Sequence, residues 1–162
     1  MFIDTKELLS DAQALTATAI STNVYDLLPS GGAINSGDTG GPTANTTVNI
    51  AAGKPLYLYI WVHTVLDSSG EAATLTATVE SSADTSNGTP TVHWTSGSIA
   101  EATLVAGYEI KLRLPPGEYQ QYLGLRFTVA GENFTSGKVD ASLARDVEIR
   151  RAYARGFNES VA

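Results

Sequence analysis

From Leu56 to His63 the chain runs through eight residues with no acidic or basic side chain other than the terminal imidazole. Alternation puts Leu56, Leu58, Ile60 and Val62 on one face and Tyr57, Tyr59, Trp61 and His63 on the other. The segment is too short and too rich in β-branched and aromatic residues to be a buried helix, so it predicts a strand. Both of its faces avoid water. A strand in a sheet with one wet face would show a polar side, so the aromatic side is expected to be covered by an arm, a loop or a second subunit.

Other segments alternate with one wet face. Leu75, Ala77 and Val79 oppose Thr74, Thr76, Thr78 and Glu80, while Ile110, Leu112 and Leu114 oppose Glu109, Lys111 and Arg113. Val92 with Trp94, Leu123 with Leu125, Phe127 and Val129, and Val139 with Ala141 and Leu143 repeat the pattern. Residues 12–28 predict one or two strands, interrupted near Ser21-Thr22-Asn23 and stopped by Pro29. Asp67-Ser68-Ser69-Gly70, Asn87-Gly88, Pro115-Pro116-Gly117 and Ala130-Gly131 supply turns between strands. Helical periodicity is nowhere sustained. Short strands at this spacing without βαβ alternation predict an all-β antiparallel sandwich.

Residues 1–10 read as an N-terminal arm or a single helical turn, residues 29–47 as a long Gly/Pro-rich loop, and residues 147–162 as a C-terminal arm. The 162 residues suit a single domain spanning 1–162. The absence of cysteine excludes disulfides and thiolate metal sites. No signal-peptide pattern or membrane-length apolar run occurs, so the chain is expected to be made soluble in the cytoplasm of its host, with no membrane partner. A net charge of −7 argues against broad nucleic-acid binding.

Chemistry finds little purchase. The two histidines, His63 and His93, lie on different predicted strands and form no paired ligand motif, so no metal or other cofactor is expected. Glu71, Glu80, Glu101, Glu109 and Glu118 fall at predicted strand edges and turns, where acidic residues ordinarily serve solubility, so a carboxylate pair for glycoside hydrolysis is not expected. The glycines are dispersed and form no phosphate cradle. The expected class is non-enzymatic.

Two groups of residues remain as candidates for binding. Tyr57, Tyr59 and Trp61 share one face and suit a subunit interface, because Tyr and Trp bury much area at low entropic cost; intramolecular packing and a sugar-stacking platform are the alternatives. Arg150, Arg151, Tyr153, Arg155 and Phe157 combine charge with aromatic anchors and suit contact with an acidic partner, against the alternative of a solvated tail.

The opening Leu8-Leu9-Ser10-Asp11-Ala12-Gln13-Ala14-Leu15-Thr16-Ala17-Thr18-Ala19, followed by Ser21-Thr22-Asn23-Val24-Tyr25-Asp26-Leu27, resembles the start of the jelly-roll cement (decoration) proteins of short-tailed bacteriophages. The likeness returns at Tyr122-Leu123-Gly124-Leu125-Arg126-Phe127 and at Gly137-Lys138-Val139-Asp140-Ala141-Ser142-Leu143. This resemblance implies a jelly-roll topology, a homodimer, and a structural virion protein on the outer surface of the phage head that ties neighbouring major capsid subunits together. It implies no active-site residue. The competing function is a carbohydrate-binding β-sandwich module of a phage or bacterial surface.

Overall fold

Alternating apolar residues become strands wherever a partner strand is within reach, and the computed structural model describes such strands within residues 7–27, 47–51, 53 and 55–144. In chain order they are β1 (Leu8–Ala14), β2 (Ala19–Ile20), β3 (Tyr25–Asp26), β4 (Val48–Ile50), β5 (Tyr57–Ser68) and β6 (Thr74–Ser82). Then come β7 (Thr91–Thr95), β8 (Ile99–Ala100), a 3-10 turn (Glu101–Thr103), β9 (Glu109–Arg113), β10 (Gly117–Tyr119), β11 (Tyr122–Ala130) and β12 (Phe134–Ala144).

The pairings are nested. β1 pairs with β12, β2 and β3 with β11, β4 with β10, β5 with β9, and β6 with β7 and β8, all antiparallel. That is one long hairpin of paired strands. Rolling it up adds two further pairings, β12 with β5 and β11 with β6, which close a four-stranded sheet ordered β1-β12-β5-β9 and a six-stranded sheet built on β2-β11-β6-β7. A long hairpin wrapped into two facing sheets is a jelly roll, so strand order supplies the topology that alternation alone leaves open.

The core lies between the sheets. β5 contributes Leu58, Ile60 and Val62, β12 contributes Val139, Ala141 and Leu143, and the facing sheet contributes Leu75, Ala77, Val79, Leu123, Leu125 and Phe127, all buried. Tyr119 is fully buried among them, and its hydroxyl donates to the Pro115 carbonyl at 2.8 Å. Gly137, with φ of +131°, lets β12 cross β5 closely: a Cβ there would lie 2.5 Å from Leu66 Cδ2 and 2.7 Å from its Cα. No helix among the described residues is long and apolar enough to cross a membrane.

Several expectations change. Leu8–Ser10, placed in the N-terminal arm, open β1 instead, with Leu9 and Ser10 both buried; a register shift between Leu8 and Ser10 hides them from a period-two reading. Val48–Ile50 form a strand that the neighbouring Gly- and Thr-rich sequence concealed. Val92 and Trp94 do not share a face, because the register shift opposite Val79 and Glu80 leaves Val92 exposed while Trp94 packs on the core. Residues 1–6 of the expected arm, residues 29–46 of the expected loop and the whole expected C-terminal arm, 147–162, lie outside the described residues.

Candidate interaction surface

β5 runs between β12 and β9, so its outward side chains form the midline of the outer face of the four-stranded sheet. Tyr57, Tyr59 and Trp61 stand there together, as alternation predicts. His63 and Val65 continue the same row, which makes a stripe of five residues running roughly 27 Å at about 3.3 Å per residue. The odd-numbered parity that the alternation from Tyr57 to His63 sets extends to Val65. Trp61 is 39% exposed and Val65 43%, while Tyr57 and Tyr59 are half-buried. Among the described residues, Trp61 and Val65 therefore remain accessible to a covering partner.

Charged groups flank the stripe on both sides. On β9, Arg113 pairs in register with Tyr57, Lys111 with Tyr59 and Glu109 with Trp61. Lys111 Nζ lies 2.7 Å from Glu109 Oε2 and 5.4 Å from the centre of the Tyr59 ring, and the Tyr59 hydroxyl donates to Glu109 Oε1. On β12, Asp140 stands beside Trp61 and Lys138 beside Thr64. Asp140 accepts from the Ala12 N–H at 2.5 Å, and its other oxygen lies 3.2 Å from His63 Nδ1. The Trp61 and His63 rings lie 5.9 Å apart. These contacts fix the side chains before any partner arrives, which lowers the ordering cost of binding.

The two histidines are 30 positions apart in sequence, and the fold holds them in separate environments. His93, on β7, stacks on Tyr119 at 3.7 Å and places Nε2 2.7 Å from the Ser81 hydroxyl, which also accepts the Gln120 N–H. Burial pulls its pKa below the ordinary 6.5. Ser81 is fully buried, so this serine and histidine brace the strand packing.

Two acids expected on the surface are buried instead. Glu80 is 3% exposed, and both its oxygens lie 3.0 Å from Arg126 Nε, with further hydrogen bonds from Thr78 and Asn87. Arg126 Nη2 also donates to the Asn87 carbonyl at 3.0 Å, so the pair ties the loop after β6 onto the six-stranded sheet. Glu101, in the 3-10 turn, accepts from the Ser68 hydroxyl, the Ser68 N–H and the Ala73 N–H. The Ser68 hydroxyl is the main cause holding its carboxyl below the ordinary 4.5. Both positions alternate or turn as surface acids do; only the tertiary partners, far away in sequence, distinguish them. Among the described residues, no group of three or more His, Asp or Glu side chains converges as a metal site.

The other candidate residues, Arg150, Arg151, Tyr153, Arg155 and Phe157, lie outside the described residues. The last described residue, Ala144, pairs with Tyr57 at one end of the stripe.

In comparison with known protein families, residues 9–143 match the family described as Bbp16. No curated protein matches the chain. The family match spans most of the sequence, so the chain belongs to the Bbp16 family and is a phage-associated protein.

Proposed function

We propose that this Bbp16-family chain is a non-enzymatic cement protein, which binds the outer surface of an assembled phage head as a homodimer and ties neighbouring major capsid subunits together. The observation that carries the reading is the stripe Tyr57, Tyr59, Trp61, His63 and Val65, exposed from Trp61 to Val65, set on a rigid sheet and rimmed by pre-oriented charges. A flat strip of aromatic residues with a polar rim is how stable protein contacts are built, since the aromatic anchors supply area and the rim excludes water.

The jelly roll suits that role mechanically. Every strand of the four-stranded sheet is held by long antiparallel pairing, so force applied at the stripe spreads into the core. A dimer that touches two capsid subunits makes the second contact intramolecular, and two weak contacts then sum to firm attachment. Adhesion and shape do the work, and no reacting group is required.

Heads assembled without the protein test this directly. They should release DNA at a lower temperature than complete heads, and adding back the purified chain should restore the difference. A chain that binds heads and leaves their release temperature unchanged is not a cement.

A further inference from the structure

We infer that the outer face of the four-stranded sheet, rather than forming the subunit interface, takes an acidic surface of the capsid, with two carboxylates roughly 25 Å apart on either side of an apolar projection. This rests on the cement reading and adds the chemistry of the capsid site.

The molecule is acidic, with a net charge of −7, yet the positive charge of its described residues is unevenly placed. Among the described residues the basic side chains are Lys111, Arg113, Arg126 and Lys138. Arg126 is consumed by Glu80 on the other sheet. The remaining three all flank the aromatic stripe, from β9 and β12.

The acids of the same flanks are already engaged. Glu109 is held by Lys111 and Tyr59, and Asp140 by the Ala12 N–H and His63. Arg113 and Lys138, both exposed, form no ion pair or hydrogen bond among the described residues. They stand at opposite ends of the stripe: Arg113 is level with Tyr57 and Lys138 with Thr64, on opposite sides of β5. Seven residues of strand at about 3.3 Å, with two interstrand steps of about 4.8 Å, separate their attachment points by roughly 25 Å.

Two unengaged cations at the ends of an exposed Trp61–Val65 patch define a complementary partner. Its apolar projection would bury Trp61 and Val65, and its carboxylates would meet the two cations at the rim, where charge sets approach rate and register. A like-charged approach by the molecule's acidic remainder is disfavoured, which gives the dimer one orientation on the head.

The test uses the full chain and heads assembled without it, with retention measured by co-sedimentation across a salt series. The wild type should lose affinity as salt rises. The double variant Arg113→Gln/Lys138→Gln should bind about tenfold more weakly at low salt and lose most of that salt dependence. Trp61→Ser should weaken binding at every salt concentration, and Val92→Ser, on the other sheet, should leave it unchanged. Unchanged melting temperatures of the variants confirm that folding is intact. If the wild type binds heads and the double variant matches it at every salt concentration, the face is not the capsid site, although the cement reading survives. If the wild type fails to bind heads and is instead retained by an anionic polysaccharide, the cement reading fails with it.

Discussion

Removing Arg126 exposes how far the fold depends on a buried charge. Arg126→Met keeps most of the aliphatic stem while deleting the guanidinium, leaving Glu80 with only Thr78 at 2.9 Å and Asn87 at 3.2 Å, and stripping the Asn87 carbonyl of its donor. Breaking a fully buried pair costs about 3–5 kcal/mol. The Arg126 side chain is 30% exposed and Glu80 4%, so solvent screening reduces the figure to about 2–3 kcal/mol. For a chain of this length that lowers the melting temperature by roughly 4–12 °C. Adding Glu80→Gln should recover part of the loss, because the carboxamide no longer carries an unpaired buried charge. Thermal unfolding followed by circular dichroism, with urea titration alongside, measures all corners of the cycle. An Arg126→Met variant melting within about 1 °C of wild type, or a double variant equal to the sum of the singles, would refute the coupling.

Other perturbations probe separate parts of the account. Gly137→Ala should lose about 2–3 kcal/mol in urea denaturation, because its φ of +131° and the nearness of Leu66 leave a methyl group no relaxed position. Trp61→Ser should change the free energy of unfolding by no more than about 0.5 kcal/mol, since its ring is substantially exposed; loss of the fold would instead place Trp61 in the core. Stability should fall as pH drops below 4.5, because Glu101, held below that value when folded, gains protons more readily in the unfolded chain. Glu101→Gln should be less stable than wild type at neutral pH and should flatten this part of the stability profile. His93 acts in the same direction at a higher pH: its folded pKa lies below 6.5, so the unfolded chain binds the proton first as pH falls through 6.5, and His93→Gln should reduce that slope.

Much of the fold was legible because side-chain alternation survives wherever a strand has one face on the core. The runs around Leu75, Leu123 and Val139 are buried as their spacing implies. Alternation fails at bulges, where one extra residue exchanges the faces, and that is why Ser10 is buried and Val92 is not. It also cannot distinguish a solvated acid from one whose partner lies tens of residues away, as Glu80 meets Arg126 across the β6–β11 pairing. The aromatic row was visible from Tyr57 to His63, whereas its charged rim required the register of β9 and β12 against β5. Strand order, and with it the jelly roll, entered the sequence reading only through family resemblance, because pairing partners leave no mark on local periodicity.

A cement reads an assembled lattice, so the sharpest measurement is sedimentation of the purified protein with mature phage heads and, separately, with free major capsid subunits. Retention on heads without association with free subunits is the predicted result. Equal binding to both, or binding to neither, would contradict a cement that bridges neighbouring subunits.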